Sequence, residues 1–156
     1  MDSRDNKELN FNKTKDFLIK SLTEKPDVIC LSEMFLYWGD NVIVESEKID
    51  SKYISFFKNF AKENEVNLIL GSVALKNDAE DSNKITNSAF VINRMGKIIF
   101  KYDKLFLYTV KRKDLLIEES NEVITGNKIG LCEIDGIKIG IGICFDLRYP
   151  EYFKAL

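Results

Sequence analysis

Glu33, Lys104 and Cys144 each stand just past an apolar run that reads as a β-strand. Glu33 lies two residues beyond 27–31, Lys104 three beyond Lys101, and Cys144 directly after Ile143. Functional groups in open α/β sheets gather at the carboxyl ends of strands, so one carboxylate, one amine and one thiol could meet in a single cleft. The chemistry open to that trio is acyl transfer. A thiol is a poor nucleophile until it loses its proton, and its unperturbed pKa is about 8.5. A neighbouring ammonium would stabilise the thiolate and lower that pKa, and a neighbouring carboxylate could accept the proton. The chain has no histidine, which removes every Ser-His and Cys-His pair and every His-ligated metal site. The base for a cysteine must then be Glu, Asp or Lys. The approach GIGIC and the strand-to-helix change at CFDLRYPE suggest a nucleophile elbow, with the Phe145 N–H able to point at an oxyanion. The plainer reading is one packed thiol and two solvated strand-end charges.

The elements that must position these groups follow from apolar spacing. Phe11, Phe17, Leu18 and Leu22 fall on one helical face over residues 11–24, which Pro26 ends. Residues 27–31 form a buried strand, 32–46 a loop carrying Tyr37 and Trp38, 49–63 a second helix and 67–75 the next strand. Strand, helix and strand make a βαβ unit with the two strands parallel. After a polar loop over 76–83, residues 88–92 and 97–101 flank Asn-Arg-Met-Gly, a hairpin signal. A long loop follows. Residues 129–134 and 137–143 then flank Asp-Gly, the strongest hairpin signal in the chain. Ile137, Ile139, Ile141 and Ile143 share one face of the last strand, while Gly140 and Gly142 on the other imply that something packs close. Pro150 and Glu151 read as the first turn of a helix. A helix cut so short would leave a sheet face exposed.

The 156 residues suit one α/β domain. A 45% hydrophobic and 31% charged composition marks the chain as globular. A net charge of −2 gives no electrostatic case for nucleic acid. No apolar run approaches the length of a membrane span, and the first residues form no secretory leader. Cys30, Cys132 and Cys144 lie 102 and 12 residues apart with no C-x-x-C pair, the sparse usage of a reduced, cytoplasmic protein. Cys30 reads as a small buried hydrophobe, and Cys132 as packing or a strand-edge residue. Tyr37 and Trp38 are candidates for a pocket wall or for core packing. Asp146, Arg148 and Glu151 are read as an ion-pair and capping network that fixes the turn after Cys144. No G-x-G-x-x-G or P-loop follows a strand, which argues against a nucleotide-binding module.

The segments PDVICLSEMF, YDKLFLY and GIGICFDLRYPE, in that order, resemble the three signature blocks of the nitrilase, or carbon–nitrogen hydrolase, superfamily. The separations of 71 residues from Glu33 to Lys104 and 40 from Lys104 to Cys144 are of the kind that family shows. The resemblance covers residues 5–156 and is closest to the amidase-like, omega-amidase branches. It implies Glu33 as general base, Lys104 as the positive group at the oxyanion and Cys144 as nucleophile. It also implies a second glutamate before the nucleophile block. ESNEVITG resembles that region, with Glu119 the best match and Glu118 and Glu122 near alternatives. The implied reaction is hydrolysis of a linear amide, carbamoyl amine or nitrile through a Cys thioester. It needs no metal or organic cofactor, and its partner is a small-molecule substrate.

Two positions depart from the family pattern: Ser32 where proline is common, and Phe106 where many relatives have histidine. The implied fold is part of a four-layer α-β-β-α sandwich. The chain is expected to lack that fold's first strand and its C-terminal part, with the complete protein a homo-oligomer. A truncated family member acting as a non-catalytic assembly or regulatory subunit is the alternative.

Overall fold

The computed structural model describes Ser3, residues 6–77 and residues 83–156. Asn6 caps the first helix, α1 (Lys7–Ser21), by accepting the Leu9 N–H on its side chain, so the helix starts one turn earlier than apolar spacing predicts. Its inward face is also less apolar than expected. Asn10 and Thr14 are buried beside Leu18, whereas Phe17 is about half exposed. The reason lies in what α1 covers. The Asn10 amide donates to the Leu36 carbonyl at 3.0 Å, and Lys7 pairs with Glu47 at 2.7 Å and Glu45 at 3.1 Å. The helix therefore pins the loop over residues 32–46 as well as the sheet.

The main sheet has five strands. β1 (Val28–Cys30) lies at one edge, parallel to β2 (Asn67–Lys76) across the helix α2 (Lys52–Glu63), as the βαβ reading requires. β3 (Ile85–Ile92) runs antiparallel to β2, and β4 (Ile98–Asp103) antiparallel to β3. The expected long loop is in fact structured. It holds a separate hairpin of β5 (Thr109–Arg112) and β6 (Leu115–Glu118), then β7 (Val123–Ile124), which pairs parallel with the start of β3. Apolar spacing does not mark this hairpin, because Leu115, Leu116 and Ile117 are all exposed and no inward-outward alternation runs through it. β8 (Leu131–Ile134) and β9 (Ile137–Gly140) form the Asp-Gly hairpin. Asp135 and Gly136 both have positive φ, +50° and +81°, as a primed two-residue turn needs. A short helix α3 (Pro150–Ala155) follows, with Pro150 in its first turn.

Two cores give the layering. On one face of the sheet Leu18 of α1 and Ile54, Phe57, Phe60 and Ala61 of α2 pack on Leu68, Leu70, Phe90 and Ile92. On the other, Ile69, Ala89, Val91 and Tyr102 meet Ile134, Ile139, Ile141 and Ile143 from the β8–β9 arm. Because β2 is buried on both faces, its sequence is a near-continuous apolar run. α3 lies beyond that arm. A Cβ on Gly142 would touch the Phe153 ring, and one on Gly140 would touch Leu156, so the two glycines admit the last segment. The order helix, sheet, hairpin, helix is an α-β-β-α stack. Ile137, read on the same face as Ile139, Ile141 and Ile143, stays two-thirds exposed at the turn end of the hairpin. Residues 78–82, within the expected polar loop, lie outside the described residues. Among the described residues no helix is long and apolar enough to cross a membrane.

Candidate active site

The sequence places Glu33, Lys104, Glu119 and Cys144 in four separate segments. The structure brings all four to one cavity of about 290 Å³, completed by Ser3, Met34, Trp38 and Tyr108.

Glu33 leaves β1 on a turn fixed by β2. The pairing of β2 with β3 slips between Leu70 and Val73, and a Cβ on Gly71 would overlap the Leu31 carbonyl oxygen. Only glycine lets the two strands come this close. The approach brings the Ser72 hydroxyl to the Met34 N–H, which donates to it at 3.0 Å. Met34 is thereby held at φ +48°, an uncommon conformation that persists when its surroundings over-determine it.

Lys104 follows β4 directly and is 1% exposed. Its Nζ donates to both carboxylate oxygens of Glu119 at 2.9 Å and to Glu33 Oε1 at 3.3 Å. Burial favours the neutral amine. The hydrogen bond to Glu119 and the charges of Glu33 and Glu119 outweigh it, so the lysine pKa lies above its ordinary value and the ammonium persists. Glu119 is itself buried in the turn after β6. It is locked to Tyr108 twice: its N–H donates to the Tyr108 carbonyl at 3.1 Å, and its Oε2 accepts the Tyr108 N–H at 2.9 Å. Of the three glutamates read as candidates in this segment, Glu119 is the one that reaches Lys104.

Cys144 opens a 3-10 turn (Cys144–Arg148) and has φ +46°, a left-handed backbone of the kind a nucleophile elbow has. Asp146, fully buried, holds this turn. Its carboxylate accepts the Ile143 N–H at 2.8 Å, the Phe106 N–H at 2.9 Å and the Tyr102 hydroxyl at 2.7 Å. One side chain thus ties the Cys144 turn to the segment carrying Lys104. The scaffold reading holds for Asp146. It fails for Arg148 and Glu151, which are exposed and make no ion pair among the described residues.

Two other expectations need correction, for Cys30 and for the Cys144 thiol, and the alternatives left open for Tyr37 and Trp38 are resolved. Cys30 is exposed: it ends the edge strand β1 and borders an open groove with Ile69, Gly71, Ile139 and Gly142 instead of packing into the core. Tyr37 belongs to a small core with Val42, Ala74 and Val123, so only Trp38 of the aromatic pair lines the cavity. The Cys144 thiol pKa is raised, not lowered. Burial raises it most, Glu33's charge adds to that, and Lys104's opposing pull does not offset the two. Two carboxylates stand against one ammonium here, so the negative charges and burial together outweigh its pull on the sulfur. Two residues of the site are not among the sequence candidates, although Tyr108 closes the YDKLFLY block. Asn87, inside β3, donates its amide to Glu33 Oε1 at 2.8 Å, and Tyr108 walls the cavity beside Lys104. Among the described residues no group of His, Cys, Asp and Glu side chains converges as a metal site would.

The carbon–nitrogen hydrolase family profile matches residues 2–156. The chain belongs to that family. It is 31% identical to the deaminated glutathione amidase of Dictyostelium discoideum over 163 residues, covering 99% of this chain and 56% of that protein. It is 29% identical to the omega-amidase Nit3 of Saccharomyces cerevisiae, covering 96% of this chain and 54% of that protein. The crystal structure of yeast Nit3 superposes with a TM-score of 0.80 at 27% identity, over 96% of this chain and 54% of that one. The NitFhit protein of C. elegans superposes at 0.83 and 22% identity, over 96% of this chain and 38% of that one, a likeness of fold. The chain spans about half the length of the curated relatives it matches.

Proposed function

We propose that this chain carries the reaction centre of an amidase-type carbon–nitrogen hydrolase that cleaves a small linear amide through a thioester on Cys144. The supporting observation is the convergence of Glu33, Lys104, Glu119 and Cys144 on one cavity, with a buried ammonium between two carboxylates. The names of the relatives, an omega-amidase and a deaminated glutathione amidase, favour an amide over a nitrile.

Because the thiol pKa is raised, the resting sulfur is protonated and needs a base at the moment of attack. Glu33 takes that proton as sulfur bonds to the amide carbon, and the carbonyl π pair moves onto oxygen. The oxyanion is stabilised by the Lys104 ammonium and by the Phe145 N–H, which lies in the first turn of the 3-10 helix, where intrahelical acceptors are missing. Collapse breaks the C–N bond, and the leaving amine takes the proton held on Glu33. Water, deprotonated by Glu33, attacks the thioester carbon, and the acid leaves as sulfur regains the proton. Glu119 keeps Lys104 charged and in place, the effect of a hydrogen-bonded counter-ion.

The test is intact-mass spectrometry of the chain incubated with a linear amide and quenched in acid. An acyl adduct on Cys144, with Cys30 and Cys132 unmodified and the adduct absent in Cys144→Ala, supports the reading. Ammonia release at the same rate from the wild-type chain and Cys144→Ala refutes it, and no adduct and no release favour a non-catalytic member of the family.

A further inference from the structure

Asn87 lies in the middle of β3 and is completely buried. Its side-chain amide donates to Glu33 Oε1 at 2.8 Å, and its backbone carbonyl accepts the Lys104 N–H at 3.0 Å. One residue therefore holds both the acid and the segment that carries the amine. Its own amide oxygen, also buried, has no hydrogen-bond partner among the described residues. Turning the amide over would not help, since it would set that oxygen against the Glu33 carboxylate. A buried orphan acceptor is a departure from the paired interiors of folded proteins, and the bond to Glu33 is what the side chain gains by sitting there.

That bond has a directional consequence. Lys104 Nζ reaches the same oxygen, Oε1, at 3.3 Å. Both nitrogen donors thus converge on one oxygen of Glu33, and Oε2 is engaged by neither of them. We propose that Asn87 is the positioning residue for the base. It holds Oε1 in the Lys104 contact and so turns Oε2 toward Cys144. The proposal rests on the amidase reading above and deepens it. Asn87 acts through Glu33 and touches neither substrate nor sulfur.

Asn87→Asp keeps the volume but replaces the donor with an acceptor, and Asn87→Ala removes the group. Each is made alone and with Glu33→Gln. Two rates are measured for all forms: ammonia release from butyramide, and alkylation of Cys144 by iodoacetamide, resolved by peptide mass from Cys30 and Cys132. Thermal midpoints show which variants fold. A positioning role predicts that kcat falls at least tenfold in both variants with KM within twofold of the wild type. It also predicts that the alkylation rate rises in Asn87→Ala, by up to about the two- to threefold expected for Glu33→Gln, and that neither effect adds to that of Glu33→Gln. A residue that only supports the fold would lower both rates equally with and without Glu33, and that result overturns the proposal, as does an unchanged kcat. If the wild-type chain releases no ammonia but the alkylation cycle depends on Glu33, the amidase reading falls and the hold of Asn87 on Glu33 stands. If neither is seen, both fall.

Discussion

Replacing Glu33 with glutamine removes one negative charge beside Cys144 while keeping the shape of the side chain. Two accounts of the site predict opposite results for the sulfur. If Glu33 only helped to hold a preformed thiolate next to Lys104, its loss would make the thiol less reactive. The structure argues otherwise, because Glu33's charge raises the Cys144 pKa more than anything except burial, and its hydrogen bond to the thiol adds a smaller rise, behind Lys104's opposing charge. Two unit charges about 4 Å apart interact by roughly 1 kcal/mol in water and roughly 4 kcal/mol at an effective dielectric of about 20. Cys144 is exposed, so solvent screening favours the lower figure. Relief of about 1 kcal/mol raises the thiolate population about fivefold below the thiol's pKa. A less basic thiolate is also a weaker nucleophile, with a Brønsted coefficient of about 0.4–0.5, which leaves a net gain of about two- to threefold. Glu33→Gln is therefore expected to alkylate faster with iodoacetamide at pH 7, followed by peptide-resolved mass spectrometry with Cys30 and Cys132 as internal references. Amide turnover should fall by about a hundredfold or more, the usual scale for losing a general base. Slower alkylation in Glu33→Gln would refute this account of the electrostatics.

Lys104→Met leaves Glu33 and Glu119 facing one another without a cation. Removing one member of a buried ion pair costs about 3–5 kcal/mol, and urea unfolding should show that loss, with Lys104→Met/Glu119→Gln recovering part of it. Asp146→Ala strands the Ile143 and Phe106 N–H groups and the Tyr102 hydroxyl. At about 1–3 kcal/mol for each unsatisfied group, the unfolding midpoint in urea should drop sharply, and Asp146→Asn should fall between it and the wild type. Gly71→Ala would drive a methyl into the Leu31 carbonyl; the end of β1 and Glu33 must shift, so a loss of Cys144-dependent turnover larger than the loss in Tm is expected. Arg94→Ala tests the opposite end of the molecule. The guanidinium joins Asp27 at 2.7 Å and Asp135 at 2.9 Å, and its removal should lower Tm modestly while leaving the Cys144 alkylation rate unchanged.

Apolar spacing located both long helices, the first four strands and the Asp-Gly hairpin, because each buries a stripe or a face against one of the two main cores. It failed where a segment buries little. The β5–β6 hairpin turns three consecutive apolar residues to solvent, so its strands looked like loop and the structural reason for Glu119 stayed hidden. Resemblance singled out Glu119 among its neighbours, and the geometry gives the cause. The paired bonds with Tyr108 turn its carboxylate inward, where Lys104 neutralises it. Strand-end position likewise points to Glu33, Lys104 and Cys144, but not to the direction in which the thiol pKa moves. A one-dimensional reading counts a nearby lysine as a full positive charge; in the fold that charge is already shared by two carboxylates.

The parts of the site that sequence periodicity cannot reach have one property in common. They are polar contacts between residues far apart in the chain: Ser72 with Met34, Asn87 with Glu33, Tyr108 with Glu119, and Asp146 with Phe106. Each restrains one of the four cavity groups, and none contributes to an apolar stripe. The two cores settle where the strands lie, with a tolerance set by side-chain packing. Proton transfer from Cys144 to Glu33 needs heavy atoms within about 3.2 Å, a tighter requirement than packing alone imposes. The directional bonds supply the difference, and two backbone positions held at positive φ, Met34 and Cys144, mark where they act. If this division is right, substitutions that loosen a polar restraint while sparing both cores should separate rate from stability, and substitutions at Phe57 or Val91 should not.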